Sequence, residues 1–150
     1  MTERPVILCV DDDWDWLKSR KLLLEERGYQ VLAASNGVEA LHFLTSVWVD
    51  LVLLDYHLPH MNGDMVAERM KAIQPEIPIV MLSADEELPE NALRWVDAFM
   101  SKDESPSSFL EIVEYLVDEC SLISVPSGSS RLAAIGTTGR QRRSTPSPTT

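Results

Sequence analysis

Short apolar runs alternate along this chain with longer segments whose apolar residues recur every three or four positions. Val6 to Val10, Gln30 to Ala34, Leu51 to Leu54, Ile77 to Leu82 and Ala98 to Met100 read as five strands. Leu51 to Leu54 lacks alternation, as expected for a strand covered on both faces. A first helix is expected from about Trp14 to Arg27, with Trp16/Leu17 and Leu23/Leu24 on one stripe and Gly28 suited to its C-terminal cap. Asn36 caps a second helix, with Glu39 at the capping-box position and Val38, Leu41 and Leu44 facing inward. Pro59, Asn62 and Gly63 mark a loop before a third helix, whose stripe is Val66, Met70 and Ile73. A short fourth helix is expected between Asp85 and Arg94. Ser105 caps a fifth, with Pro106 at its first position and Phe109, Ile112, Val113 and Leu116 as its stripe. Strands alternating with helices predict a parallel sheet with covering helices.

Composition narrows the class. The 150 residues suffice for one domain with a real core. No apolar stretch is long enough for a membrane span, and Met-Thr-Glu-Arg-Pro does not read as a signal peptide. Two unpatterned cysteines, Cys9 and Cys120, fit a reduced, cytoplasmic setting. The net charge is -11; every acid lies before residue 121, whereas Arg131, Arg140, Arg142 and Arg143 lie after it. An acidic body argues against direct DNA or RNA binding. From Ser121 onward Ser, Thr, Gly and Pro dominate. We read residues 1–120 as the domain and 121–150 as a disordered tail or linker, without the makings of a helix-turn-helix output domain.

Chemistry gathers where the strands end. The first strand stops at Asp11-Asp12-Asp13, the third at Asp55, the fourth at Ser83, and the fifth is followed closely by Lys102. Ligand groups of open parallel sheets collect beyond the carboxyl ends of the strands. Acids, a hydroxyl and an ammonium in those places suggest one shared site for Mg²⁺ and phosphate. A carboxylate can attack phosphorus and form an acyl phosphate. Carboxylates packed together raise one another's pKa unless a cation is present. Plainer roles stand beside these: Asp55 as a polar strand terminus, one of the three acids as a helix cap, Ser83 as an N-cap, Lys102 as a surface lysine.

Taken in order, these motifs resemble the receiver domain of two-component response regulators over about residues 4 to 120. The resemblance rests on the acids after the first strand, the segment Asp50-Leu51-Val52-Leu53-Leu54-Asp55-Tyr56-His57-Leu58-Pro59-His60-Met61-Asn62-Gly63, Asn36-Gly37-Val38-Glu39-Ala40-Leu41, Ser83-Ala84 and Lys102. It implies a flavodoxin-like α/β fold, a doubly wound five-stranded parallel sheet in the order 2-1-3-4-5 with five helices. It implies Asp55 as phosphoacceptor. Mg²⁺ would be held by Asp12, Asp55 and the His57 backbone carbonyl, with Asp11 acting mainly through water. Ser83 and Lys102 would bind the phosphoryl group, and Asp13 has no assigned part. Ser83 and Phe99 fall at the switch positions, Phe99 equally readable as static core. His57 and Asp85 fall where water attack on the acyl phosphate is modulated. The partners implied are a histidine kinase or histidine phosphotransfer protein and a downstream protein target, with no membrane.

Two departures qualify the resemblance. Asp103 stands where receivers usually carry a cis-bonded proline after the lysine, and a trans bond is expected here because a non-proline cis bond costs about 2.5–4 kcal/mol. The stretch from Ser83 to Lys102 is short and contains Pro89, so the fourth helix should be stunted. The expected function is a stand-alone phosphoacceptor rather than a classical enzyme. The rivals are a receiver-like binding module that is never phosphorylated and a haloacid-dehalogenase-type phosphatase. The second fits poorly, because Asp11 and Asp13 are followed by Trp14 and Asp15.

Overall fold

The computed structural model describes residues 4–85 and 87–122. The tail expected over 121–150 lies outside them, except that the last helix runs two residues past the expected boundary, to Leu122. The strands are β1 (Val6–Val10), β2 (Gln30–Ala34), β3 (Leu51–Asp55), β4 (Ile79–Ser83) and β5 (Ala98–Ser101). The helices are α1 (Trp14–Glu26), α2 (Gly37–Ser46), α3 (Gly63–Ile73) and α4 (Pro106–Leu122). All strand pairs are parallel, and the sheet order is β2-β1-β3-β4-β5, the flavodoxin-like order the resemblance implies.

Alternate residues of each strand point to opposite faces, so the sheet divides the core in two. One side joins Ile7, Cys9, Leu51, Leu53, Val80, Leu82 and Met100 to Leu17 and Leu24 of α1 and to Phe109, Val113 and Leu116 of α4. The other joins Leu8, Val10, Val52, Leu54, Ile79 and Met81 to Ala40 and Leu44 of α2 and to Val66, Ala67 and Met70 of α3. Every residue of β3 and β4 is buried, which explains why their sequences do not alternate. Burying one such Leu, Ile or Val side chain is worth about 1.5–3 kcal/mol. The sheet can therefore carry polar groups at its carboxyl edge.

Local signals set the helix ends. Tyr29 donates to the Leu24 carbonyl and Gly28 to that of Glu25, the paired bonds of a Schellman cap, with Gly28 at φ 95° in the left-handed region. The Asn36 side chain accepts from the Glu39 amide while the Glu39 carboxylate accepts from Ser35, at 2.8 Å each. The carboxylate thus reaches the amide just before the cap rather than the cap residue's own. The Ser105 hydroxyl accepts from Ser108 at 3.2 Å, capping α4.

Four expectations are corrected. Val38 is 70% exposed and Ile73 is 42% exposed. The inward stripe of α2 is Gly37, Ala40 and Leu44, because α2 approaches α3 so closely that a Cβ on Gly37 would come within 2.6 Å of Val66 Cγ2. The stripe of α3 passes from Met70 to buried Gln74, whose side chain donates to the Val49 carbonyl at 3.2 Å, and so leaves Ile73 outside. β4 begins at Ile79 rather than Ile77, and Pro78 before it has no amide to give a ladder. The fourth α-helix is replaced by a 3₁₀ turn, Glu90–Leu93. Pro89 immediately before that turn disfavours helical backbone at the residue preceding it, and the segment is too short to recover an α-helix.

Candidate functional site

The site is built on the carboxyl edge of the sheet. Asp11 follows β1, and its amide still donates to Ala34 of β2 at 3.0 Å, so the ladder carries it to the edge fully buried. Asp55 is the last residue of the central strand and is 4% exposed. Its position depends on Gly63, where a Cβ would lie 2.6 Å from the Asp55 carbonyl oxygen and 2.9 Å from Tyr56 Cα. Only glycine lets the start of α3 sit so close, held by a 2.7 Å bond from Gly63 N–H to the Tyr56 carbonyl. The loop between carries His60 at φ 69°, a left-handed conformation uncommon outside glycine.

One carboxylate oxygen each from Asp11, Asp12 and Asp55 lies within 4.8 Å of the others; Asp12 is exposed and the other two are buried. Mg²⁺ takes oxygen ligands at 2.0–2.1 Å in an octahedron, so its ligands sit about 2.9 Å apart when adjacent and about 4.1 Å apart when opposite. The three acids need only a small adjustment to meet that spacing. Their chemistry also fits a cation. Burial, and then the charge of Asp11, push the Asp55 carboxyl up to about 7, against the pull of Lys102 and of the His57 amide. That is the mark of a carboxylate crowded by another and short of positive charge.

Lys102 supplies part of that charge. Its ammonium is 2.5 Å from Asp11 Oδ2 and 3.6 Å from Asp55 Oδ2. Burial alone would lower its pKa, but the hydrogen bond and charge of Asp11, with those of Asp55, outweigh it and hold the pKa above the ordinary lysine value. Its backbone amide donates to the Ser83 carbonyl at 3.0 Å, which fastens the end of β5 to the end of β4. The Lys102–Asp103 bond is trans, as expected. In place of a proline anchor, the Asp103 amide donates to the Ser101 hydroxyl at 3.0 Å.

Ser83 is fully buried. Its hydroxyl accepts from the Asp85 amide at 3.0 Å, and among the described residues no helix starts directly after it for it to cap. The hydroxyl proton remains available to donate. Phe99 is half-buried on the face of β5 opposite Met100, packed against the α2–α3 side of the core. His57 and Asp85, 28 positions apart, meet at 2.8 Å between Nε2 and Oδ2 on the exposed rim.

The capping role open to one of the three acids falls to Asp13. Its side chain accepts from the amides of Asp15 and Trp16 at 3.1 and 3.2 Å. The Asp11 carboxylate in turn accepts from the Asp13 amide at 2.9 Å. Asp13 thus orients α1 and leaves Asp11 and Asp12 facing the cleft. Trp16 belongs to the site as well, with its ring centroid 5.0 Å from the Lys102 ammonium. From the sequence it reads only as a stripe residue of the first helix, because nothing local connects it to a lysine 86 positions away.

A doubly wound sheet in this order, with acids, hydroxyl and lysine converging at its carboxyl edge, defines a receiver-type α/β domain. The family model of the response regulator receiver domain matches residues 7–114, and the chain belongs to that family. It is 38% identical over 82 residues to sporulation initiation phosphotransferase F of Bacillus subtilis, covering 55% of this chain and 66% of that protein. It is 35% identical over 91 residues to the transcriptional regulatory protein GlrR of Escherichia coli, covering 60% of this chain but only 20% of that protein. Among solved structures, a CheY-like receiver domain protein of Methanospirillum hungatei superposes with a TM-score of 0.75 at 31% identity, covering 80% of this chain and 98% of that one. The response regulator TrrA of Thermotoga maritima, in complex with Mg²⁺ and beryllium fluoride, does so with a TM-score of 0.70 at 30% identity, covering 75% and 98%. Among the described residues, no helix is long and apolar enough to cross a membrane.

Proposed function

We propose that this receiver accepts a phosphoryl group on Asp55 from the phosphohistidine of a histidine kinase or phosphotransfer protein, in a Mg²⁺-dependent phosphorelay in the cytoplasm. The observation that carries this reading is the Asp55 carboxylate itself. It is 4% exposed at the end of the central strand, grouped with two other acids, and 3.6 Å from an ammonium. An Asp55 oxygen attacks phosphorus as the bond from phosphorus to the donor imidazole nitrogen breaks, and that nitrogen keeps the electron pair. Asp11, Asp12, Asp55 and the His57 carbonyl would hold Mg²⁺, which supplies positive charge against the phosphoryl oxygens. Lys102 pairs with one such oxygen and the Ser83 hydroxyl donates to another, so positioning and charge do most of the catalysis. His57 and Asp85 stand at the rim, where they control access of water to the acyl phosphate. Ser83 and Phe99 form the switch. The output of the domain is a contact with another protein, in keeping with its acidic body.

Reaction with a small phosphodonor and Mg²⁺, followed by mapping of the modified residue, tests this. Label is expected on Asp55, to be lost in Asp55→Asn and without Mg²⁺. Label on Asp11 or Asp13 would overturn the assignment in favour of phosphatase-type chemistry.

A further inference from the structure

We infer that Trp16 is a positioning residue for Lys102: the indole is the surface against which the phosphoryl-binding ammonium is held. The inference rests on the reading of Asp55 as phosphoacceptor. A lysine is a point charge on a four-carbon stem, and it reaches a useful position only if something limits where the stem goes. Three groups do so here: Asp11 at 2.5 Å, Asp55 at 3.6 Å and the Trp16 ring at 5.0 Å. Asp11 and Asp55 are also candidate metal ligands, so their hold on Lys102 competes with a cation. The indole has no such second duty. A cation within about 6 Å of an indole centroid is attracted by the ring quadrupole, more strongly where water is excluded, and the Lys102 side chain is 17% exposed.

The indole is itself fixed from several sides. The Trp16 amide donates to the Asp13 carboxylate that caps α1. The ring packs edge-on against Phe109 of α4, centroids 6.1 Å apart at 83°. The Arg20 guanidinium lies 5.1 Å from the Trp16 ring and 4.9 Å from that of Phe109. Trp16 Nε1 is buried and has no hydrogen-bond partner among the described residues. The contacts that orient the indole are those of its ring with Phe109, Arg20 and Lys102. A leucine at this position would fill much of the space but present no quadrupole.

The test uses the full chain with Trp16→Leu and Trp16→Phe, measuring labelling of Asp55 by acetyl phosphate and Mg²⁺ over a range of donor concentrations. Trp16→Leu is expected to lower the limiting rate about fivefold with little change in KM, a factor equivalent to about 1 kcal/mol. Trp16→Phe should recover most of it. Wild-type speed in Trp16→Leu, or equal slowing in both variants, overturns the inference. A second measurement needs neither folding of the leucine variant nor phosphorylation. In protein carrying 5-fluorotryptophan, the ¹⁹F resonance of Trp16, assigned by its absence in Trp16→Phe, should move in Lys102→Met; an unmoved resonance overturns the contact. Failure of wild type to take label at Asp55 would sink the phosphoacceptor reading instead, and the ¹⁹F result would still decide the Trp16–Lys102 contact.

Discussion

Replacing Asp55 should stabilise the metal-free protein. Asp55 has a carboxyl pKa of about 7 in the folded chain, against 3.8 for an unperturbed one. The native state therefore binds the proton more tightly than the unfolded state, and stability falls as pH rises between those values. Below about pH 4 both states are protonated and the penalty is absent; above about pH 7 it is complete. At 1.36 kcal/mol per tenfold, the ceiling is about 4 kcal/mol. Water at the cleft mouth screens part of this, and we take about half, roughly 2 kcal/mol, as the expected gain in Asp55→Asn at pH 8. The loss to Lys102 is small, because its shorter contact, 2.5 Å to Asp11, survives. Urea unfolding in the presence of a chelator should show the midpoint rising by about 1 M with unchanged slope. The gain should vanish near pH 4 and shrink when Mg²⁺ is added, since Mg²⁺ stabilises only the protein that binds it. A variant no more stable than wild type at pH 8, or equally stabilised at pH 4 and pH 8, would refute the account.

Three further outcomes are expected. Gly63→Ala should destabilise the domain by about 1–3 kcal/mol and slow Asp55 labelling, because the new methyl would meet the Asp55 carbonyl at 2.6 Å; thermal unfolding with labelling checks both. Asp85→Ala removes the 2.8 Å contact with His57 and should shorten the acyl-phosphate lifetime by a factor of about 3–10, the worth of one ordinary hydrogen bond; decay of radiolabelled protein measures it, and a longer lifetime would contradict the gating role. Removing residues 125–150 should leave labelling and the unfolding midpoint unchanged, since that segment has few large apolar residues with which to offset its ordering; a lower midpoint would move the domain boundary.

What could be read from the chain follows a physical division. Asp11, Asp12, Asp55, Ser83 and Lys102 were legible because each stands at or just past the end of an apolar run, and parallel topology carries all such ends to one edge. Which of three consecutive acids caps α1 was not, since Asp11, Asp12 and Asp13 differ only in how the chain turns after β1. The contacts between Trp16 and Lys102, and between His57 and Asp85, span 86 and 28 positions and exist only once the sheet is assembled. Val38 and Ile73 misled because helical phase slips near helix ends, where a close approach such as that at Gly37 decides which face turns inward. The segment after Ser83 combines both lessons. Pro89 announced a stunted helix, but not that one 3₁₀ turn would remain, with its amides bonded from Ala92 to Pro89 at 2.8 Å and from Arg94 to Asn91 at 3.3 Å. Just ahead of it stands Asp85, whose amide meets Ser83 and whose side chain meets His57. A phosphoryl group on Asp55 would therefore be felt first at Asp85, ahead of a 3₁₀ turn rather than an α-helix, and the half-buried Phe99 on the neighbouring strand packs in the same core cluster as Ala92 of that turn.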